Sequence, residues 1–323
     1  MPHAIRVYEH GGPEKLRWEA VQVGAPGEGE VLVRNTAIGL NFIDTYHRTG
    51  LYPMQLPTGL GMEGAGVVEA VGPKVKEFKI GDRVAYAQPI GSYAELLLRQ
   101  AARMVKVPKG IDDKVAAAIM LKGMTAWYLC RRTYKVQKGD TVLVHAAAGG
   151  VGQILSQWSK HLGATVIGTV GSDEKAVLAK KAGCKHVVVT SKEKFVERVK
   201  EVTKGKGVPV VYDGVGKDTF MDSLDCLRPR GLMASFGNSS GAVPPFNLAI
   251  LAQKGSLFLT RPSLFHYTSS REDLVGAANE LFAVVKSGAV KISINQTYPL
   301  REAAQAHRDL EGRKTTGSTV LLP

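Results

Sequence analysis

HAAAGGVG, residues 145–152, is the stretch whose reading decides the fold of this chain. It follows TVLVHA, a short β-branched and apolar run. It precedes a segment in which Val151, Ile154, Leu155, Trp158 and Leu162 recur on one helical face. A strand, a glycine loop and a helix in that order form the setting of a dinucleotide-binding fingerprint. Such a loop lets backbone approach a pyrophosphate, and the helix N-terminus offers it unpaired N–H groups. Ala147 stands where that fingerprint usually has its first glycine, which costs little if the residue keeps an ordinary φ. Gly149 then lets the backbone approach the pyrophosphate, and Gly152 lets the helix pack closely on the strand.

Outward from the loop, ATVIGTV, KHVVVT, VPVVYDG, GLMASFG and SLFLT are further short buried-strand patterns, most of them separated by helical stretches. Alternation of that kind predicts a parallel sheet covered by helices on both faces, placed at residues 121–260. Residues 1–120 have another rhythm. EVLVRNTAIGLN, GAGVVEAVGP and RMVKVP are short segments cut by glycine and proline, as in a mostly β domain. Residues 261–323 include helical NELFAVVKSG and AAQAHRDLEG, then an extended STVLL predicted to return to the first domain. The fold class is therefore α/β, a mostly β domain joined to a doubly wound parallel sheet.

The 323 residues suffice for two cored domains. No apolar run approaches membrane-spanning length, and MPHAIRVYEH lacks the pattern of a secretory signal, so a cytoplasmic protein is expected. Three scattered cysteines, Cys130, Cys184 and Cys226, fit free thiols in a reducing compartment. The net charge of +13 raises nucleic acid as a partner. Its densest run, residues 191–207, instead interleaves lysine with glutamate and sets Phe195, Val199 and Val202 on one face. That pattern reads as the solvated side of an amphipathic helix. No RNA-recognition signature accompanies it.

The end of the second parallel strand bears on which dinucleotide would bind. NAD sites usually place an acid there, about 20 residues past the loop, for the ribose 2′-OH. Here the place is Gly171, followed by Ser172, Asp173, Glu174 and Lys175. Glycine leaves room for a 2′-phosphate, and Ser172 and Lys175 can donate to it, which favours NADPH. Asp173 could cap the next helix or take the ribose role itself.

AIGLNFIDTYHRTGLYP, GMEGAGVVEAVG, GDRVAYAQPIGSYAE, LKGMTAWYLC, HAAAGGVG, VVYDGVG and LMASFGNSSG, in this order, resemble the zinc-independent quinone oxidoreductases. These form the zeta-crystallin-like branch of the medium-chain dehydrogenase/reductase superfamily. The resemblance implies a GroES-like domain, completed by the C-terminal segment, beside a Rossmann domain. It also implies an active site in the cleft between them, and a homodimer. Zinc-dependent relatives carry ligands where this chain has Asn41, Met62 and Leu121. An amide, a thioether and an alkyl chain do not make a zinc site, so no metal is expected.

By the same resemblance Asn41, Asp44, Tyr46, Tyr52 and Arg261 line the catalytic site. Asn41, Tyr46, Tyr52 and Arg261 are candidate hydrogen-bond donors to the acceptor. Asn41 and Asp44 could equally cap the helix beginning at FIDTYH, the tyrosines could pack as wall, and Arg261 could be a structural ion pair. Cofactor contacts are implied for Asn41, Thr125, Gly149–Gly152, Gly171, Ser172, Lys175, Gly216, Phe236, Gly237, Leu259, Thr260, Arg261 and Arg313. Thr190 stands where many relatives have a tyrosine, and offers the adenosine less stacking area. The implied activity is hydride transfer from NADPH to a quinone. Reduction of a conjugated C=C bond is the alternative within enzymes, and an RNA-binding or crystallin-like role the alternative outside them.

Overall fold

The computed structural model describes residues 1–323 and divides into two compact units. One comprises Met1–Met124, Ser269–Lys286 and Ile292–Pro323; the other comprises Thr125–Thr268 and Ser287–Lys291.

The second unit is built on six strands. In spatial order they are His186–Val189, Thr165–Val170, Thr141–Val144, Val208–Asp213, Leu227–Ser235 and Phe258–Thr260. Every neighbouring pair is parallel. Counted along the sequence the order is 3-2-1-4-5-6, the doubly wound Rossmann arrangement. Strands covered on both faces must be apolar throughout, and Val142, Leu143, Val144, Val208, Val210 and Val211 are fully buried. The Gly150–His161 helix buries Ile154, Leu155 and Trp158. The lysine-rich run forms the Phe195–Val202 helix, with Phe195 and Val199 in the core and Lys192, Lys194 and Lys200 exposed. The strand order reverses between Thr141–Val144 and Val208–Asp213, so the glycine loop leaves the sheet at its topological switch point.

The first unit holds a seven-stranded sheet and a three-stranded one. The long strand Glu30–Leu40 pairs antiparallel with Glu63–Val71, with Leu96–Gln100 and with the C-terminal Ser318–Leu322. STVLL therefore closes onto the N-terminal part of the chain. Ile5, Val7, Ile38, Leu40, Leu60, Tyr93, Leu300 and Leu321 form one core cluster beneath these strands. The Glu30–Leu40 strand runs through Asn41 into the Phe42–Thr49 helix, which ends at Gly50 in the left-handed region at φ 81°.

Candidate active site

The glycine loop begins where His145 donates its backbone N–H to Tyr212 O, 3.0 Å away. The left-handed residue of the turn is Ala146, at φ 50°, and not Ala147. Ala147 is fully buried, and the position facing its methyl is Gly168 on the adjacent strand. A Cβ at Gly168 would lie 2.8 Å from the Ala147 Cβ. Alanine at 147 is thus accommodated by a missing side chain on the next strand. Gly149 is the N-cap of the Gly150–His161 helix in extended conformation, with Val151 half-buried in the first turn. At Gly152 an added Cβ would come within 2.3 Å of the Ala146 carbonyl oxygen, so the close helix–strand approach requires glycine there.

At the end of the second strand, Gly171 is exposed and an added Cβ would meet nothing within 4 Å. The space beside it is therefore open, and the backbone does not itself demand glycine. Ser172 caps the Asp173–Lys181 helix, its Oγ accepting from the Lys175 N–H at 3.4 Å. Its hydroxyl also holds the Glu174 carboxyl below the usual carboxylate range. The serine expected to serve a ligand is thus engaged in the cap. Asp173 does not cap the helix; it pairs with Lys192 Nζ at 2.5 Å. Thr190 lies beside this strand end, its Oγ1 donating to Val170 O at 3.2 Å.

Gly216 sits at φ 91° with no room for a Cβ beside Gly241 O, and Gly237 packs against the Gly214 backbone. The Phe236 ring covers Gly214. Leu259 and Thr260, on the edge strand, pair with Met233 and Ala234. Arg261 follows and donates from Nη1 to Ser235 O at 3.1 Å and Gly237 O at 2.9 Å, tying two strand ends together where an ion pair was the alternative. Thr260 and Arg261 also line a cavity of about 230 Å³ with Ser263, His266 and Tyr267.

A buried polar network not assigned from the sequence anchors these loops. Asp213 Oδ1 accepts from the N–H groups of Val215 and Gly216, and its Oδ2 accepts from Thr219 Oγ1 and Ser223 Oγ. Ser223 spends its one proton on Asp213, so His145 Nε2–H donates to Ser223 and Nδ1 accepts from Thr169. Burial holds the His145 imidazole below its ordinary pKa, consistent with that neutral tautomer. HAAAGGVG and VVYDGVG contain both key residues, yet no local pattern says that His145 and Asp213 share a partner.

In the first unit the structure pairs Asn41 with Asp44 and, separately, Tyr46 with Tyr52. The Tyr46 and Tyr52 rings stand edge to face at 5.3 Å, and Tyr52 N–H donates to Tyr46 O. Asn41 Nδ2 donates to Glu63 Oε1 at 2.9 Å and to Gly39 O at 3.3 Å. Its amide protons are committed, which removes Asn41 from the expected donors and leaves it an acceptor. Asp44 Oδ2 accepts the Asn41 backbone N–H at 2.9 Å, so the capping role is present. Asp44 is fully buried and heads a chain of polar groups. Tyr93 Oη donates to Asp44 Oδ2, His307 Nε2 meets Tyr93 Oη, and Arg48 Nη1 donates to His307 Nδ1. Arg48 also holds Glu311 with both terminal nitrogens. Burial raises the Asp44 carboxyl to about 7. Burial first, and then the Arg48 charge, lowers His307 to about 3. Thr125 is buried on the Asp113–Tyr128 helix, and Arg313 follows the Ala303–Glu311 helix at φ 58°.

At two of the positions where zinc-dependent relatives carry ligands, Met62 is buried and Leu121 offers only its backbone N–H, donated to Glu63 Oε2 at 2.6 Å. No three His, Cys, Asp or Glu side chains stand close enough to hold a metal ion. No helix is long and apolar enough to cross a membrane.

Comparison with known proteins adds the following. Residues 27–109 match the alcohol dehydrogenase GroES-like domain family, and residues 150–281 match the zinc-binding dehydrogenase family. A quinone oxidoreductase of Pseudomonas aeruginosa is 55% identical, with all of both chains covered. A 2-haloacrylate reductase of Burkholderia is 51% identical over 100% of this chain and 99% of its own. The crystal structure of Escherichia coli quinone oxidoreductase in complex with NADPH superposes with a TM-score of 0.98 at 52% identity, covering 99% of this chain and all of that one.

Proposed function

The chain belongs to the quinone oxidoreductase family of the medium-chain dehydrogenases/reductases, and from that premise we propose that it transfers hydride from NADPH to a quinone. The observation that carries the reading is the loop geometry, set beside the similarity to an NADPH-bound quinone oxidoreductase. Ala146 turns left-handed, Gly152 lets the helix approach, and the space at Gly171 lies open at the neighbouring strand end.

These residues fit an NADP-type cofactor. The helix N-terminus at Gly149–Gly152 would hold the pyrophosphate, and Gly171 with Lys175 would hold the 2′-phosphate. Bound NADPH supplies the hydride. The chain's part is to orient the partners and stabilise charge developing on the acceptor oxygen. The phenol hydroxyls of Tyr46 and Tyr52 would donate to it. Asn41 would accept. Asp44, wholly buried, would act by fixing the start of the Phe42–Thr49 helix. The protein is further proposed to work in the cytoplasm, as a homodimer, with no resident metal.

A turnover panel tests the function: NADPH with quinones, with enones and with 2-haloacrylates. Quinone turnover should exceed the others in kcat/KM. Faster reduction of the haloacrylate or enone would move this chain to C=C chemistry, the activity named for its Burkholderia relative. Within the quinone reading, Tyr46→Phe combined with Tyr52→Phe should lower kcat and preserve the fold. A double variant with parental kcat would make both tyrosines wall.

Cofactor choice has its own test. A charge-assisted hydrogen bond to phosphate contributes about 1.5 kcal/mol at a partly exposed site, or about tenfold in affinity. Lys175→Ala should therefore weaken NADPH about tenfold by fluorescence titration and leave NADH nearly untouched. Ser172→Ala removes a helix cap and should lower the melting temperature without shifting the preference. Equal losses of both dinucleotides in Lys175→Ala would make Lys175 a support for the loop.

A further inference from the structure

We propose that Glu63 and Lys122 are positioning residues of the catalytic site, fixing the Asn41 amide so that its carbonyl oxygen alone is presented to the ligand. The proposal rests on the reading of Asn41 as a site residue and deepens it. Glu63 is fully buried at the end of an antiparallel pair, its Cα partner being Gly39. A Cβ at Gly39 would lie 2.2 Å from Glu63 Oε1, so the carboxylate occupies the space of the missing side chain. Lys122 Nζ and Asn41 Nδ2 converge on Oε1 at 2.6 and 2.9 Å, and the Leu121 N–H reaches Oε2 at 2.6 Å.

Orientation follows from donor and acceptor chemistry. A carboxylate beside an ammonium, and the Gly39 carbonyl, can only accept hydrogen bonds. The Asn41 NH₂ must therefore face them, and Oδ1 faces the other way, where it accepts the Asp44 backbone N–H of the capping box and keeps one lone pair for a ligand. Lys122 is buried too, with 7% of its side chain exposed against 0% for Glu63, and it makes the buried charge tolerable. A buried ion pair is a weak source of stability, because desolvation offsets the attraction. What this one supplies is direction, in the form of a fixed acceptor able to select a ligand N–H or O–H. The two residues lie 59 positions apart and meet only in the folded sheet–helix junction.

The test reads the orientation directly in ligand-free enzyme. The Asn41 side-chain NH₂ signal is assigned in a ¹⁵N correlation spectrum by its loss in Asn41→Leu. In the parent it should exchange slowly with solvent and lie downfield, as for an amide on a carboxylate. A fast-exchanging signal in the parent overturns the proposal with no variant of the pair required. In Glu63→Gln combined with Lys122→Met, which removes both charges together, the signal should move upfield. There kcat should fall by up to about tenfold, the loss of one oriented hydrogen bond, with little change in KM for NADPH. A folded double variant with parental signal and parental kcat would reduce the pair to architecture. Asn41→Leu with parental kcat would instead sink the reading of Asn41 as a site residue, while the exchange measurement would still decide the orientation.

Discussion

Replacing Asp44 by asparagine is expected to make the protein acid-sensitive over a range in which the parent's buried network is indifferent to pH. His307 is held at about 3 in the folded chain against an ordinary 6.5. Between those values the unfolded chain binds a proton that the folded chain refuses, so this residue alone makes stability fall as pH falls. Asp44 works the other way. Its folded value of about 7 against 3.8 means that the folded chain keeps a proton the unfolded chain has lost, so stability falls as pH rises from 4 to 7. From about pH 4 to 6.5 the two gradients cancel. Folding moves one proton from a histidine to a carboxylate and leaves the count unchanged.

Asp44→Asn keeps an oxygen for the Asn41 N–H and Tyr93 Oη, and exposes the histidine gradient. The full His307 shift corresponds to about 5 kcal/mol, at 1.36 kcal/mol per pH unit, lost progressively between pH 6.5 and 3. His307→Gln should expose the opposite slope, about 4 kcal/mol lost between pH 4 and 7. Burial dominates both values; the Asn41 N–H, Tyr93 and Lys122 lower the Asp44 value and Glu63 raises it, while Arg48 lowers that of His307. Denaturant midpoints across this range give the result. Parallel curves for parent and Asp44→Asn would mean that Asp44 is ionised in the native protein.

Two alanines in the glycine loop are expected to fail in different ways. Gly152→Ala sets a methyl 2.3 Å from the Ala146 carbonyl and 2.8 Å from Ala147 Cα, both backbone atoms that can yield only if the turn moves. Overpacking of this kind costs about 1–3 kcal/mol, so both melting temperature and NADPH affinity should drop. Gly149→Ala meets its nearest atom at 3.2 Å and keeps a φ of −79° open to any residue. Its fold should survive while the methyl obstructs a pyrophosphate at the helix N-terminus, giving at least a tenfold loss of NADPH affinity, about 1.4 kcal/mol, at near-parental stability. If Gly149→Ala binds NADPH as the parent does, the phosphates lie elsewhere. If Gly152→Ala melts like the parent, the close helix–strand approach is not what the glycine serves.

Much of this was legible before any coordinate. TVLVHA, ATVIGTV, KHVVVT and VPVVYDG announce buried parallel strands, because covering both faces forces an unbroken apolar run. The helix after the loop declares itself through Ile154, Leu155 and Trp158, and the Asn41–Asp44 spacing through its cap. Each of these rests on forces between residues close in the chain, so a string of letters records them. The pattern of an ion-paired, solvated face for residues 191–207 was local in the same sense.

Other features exist only once distant segments meet. Ala147 is tolerable because Gly168 on the neighbouring strand has no side chain, and the left-handed residue is Ala146, which no composition rule selects. Ser172 could donate or cap, and the choice fell to a helix N-terminus whose N–H groups needed an acceptor. Asn41 read as a donor until Gly39 and Glu63 came into register and took its protons. Asp44, Tyr93, His307 and Arg48 form one chain although Arg48 and His307 lie 259 positions apart. Periodicity along the chain fixed which elements form. Which polar groups lose water together, and therefore must satisfy one another, was decided only by the packing of those elements.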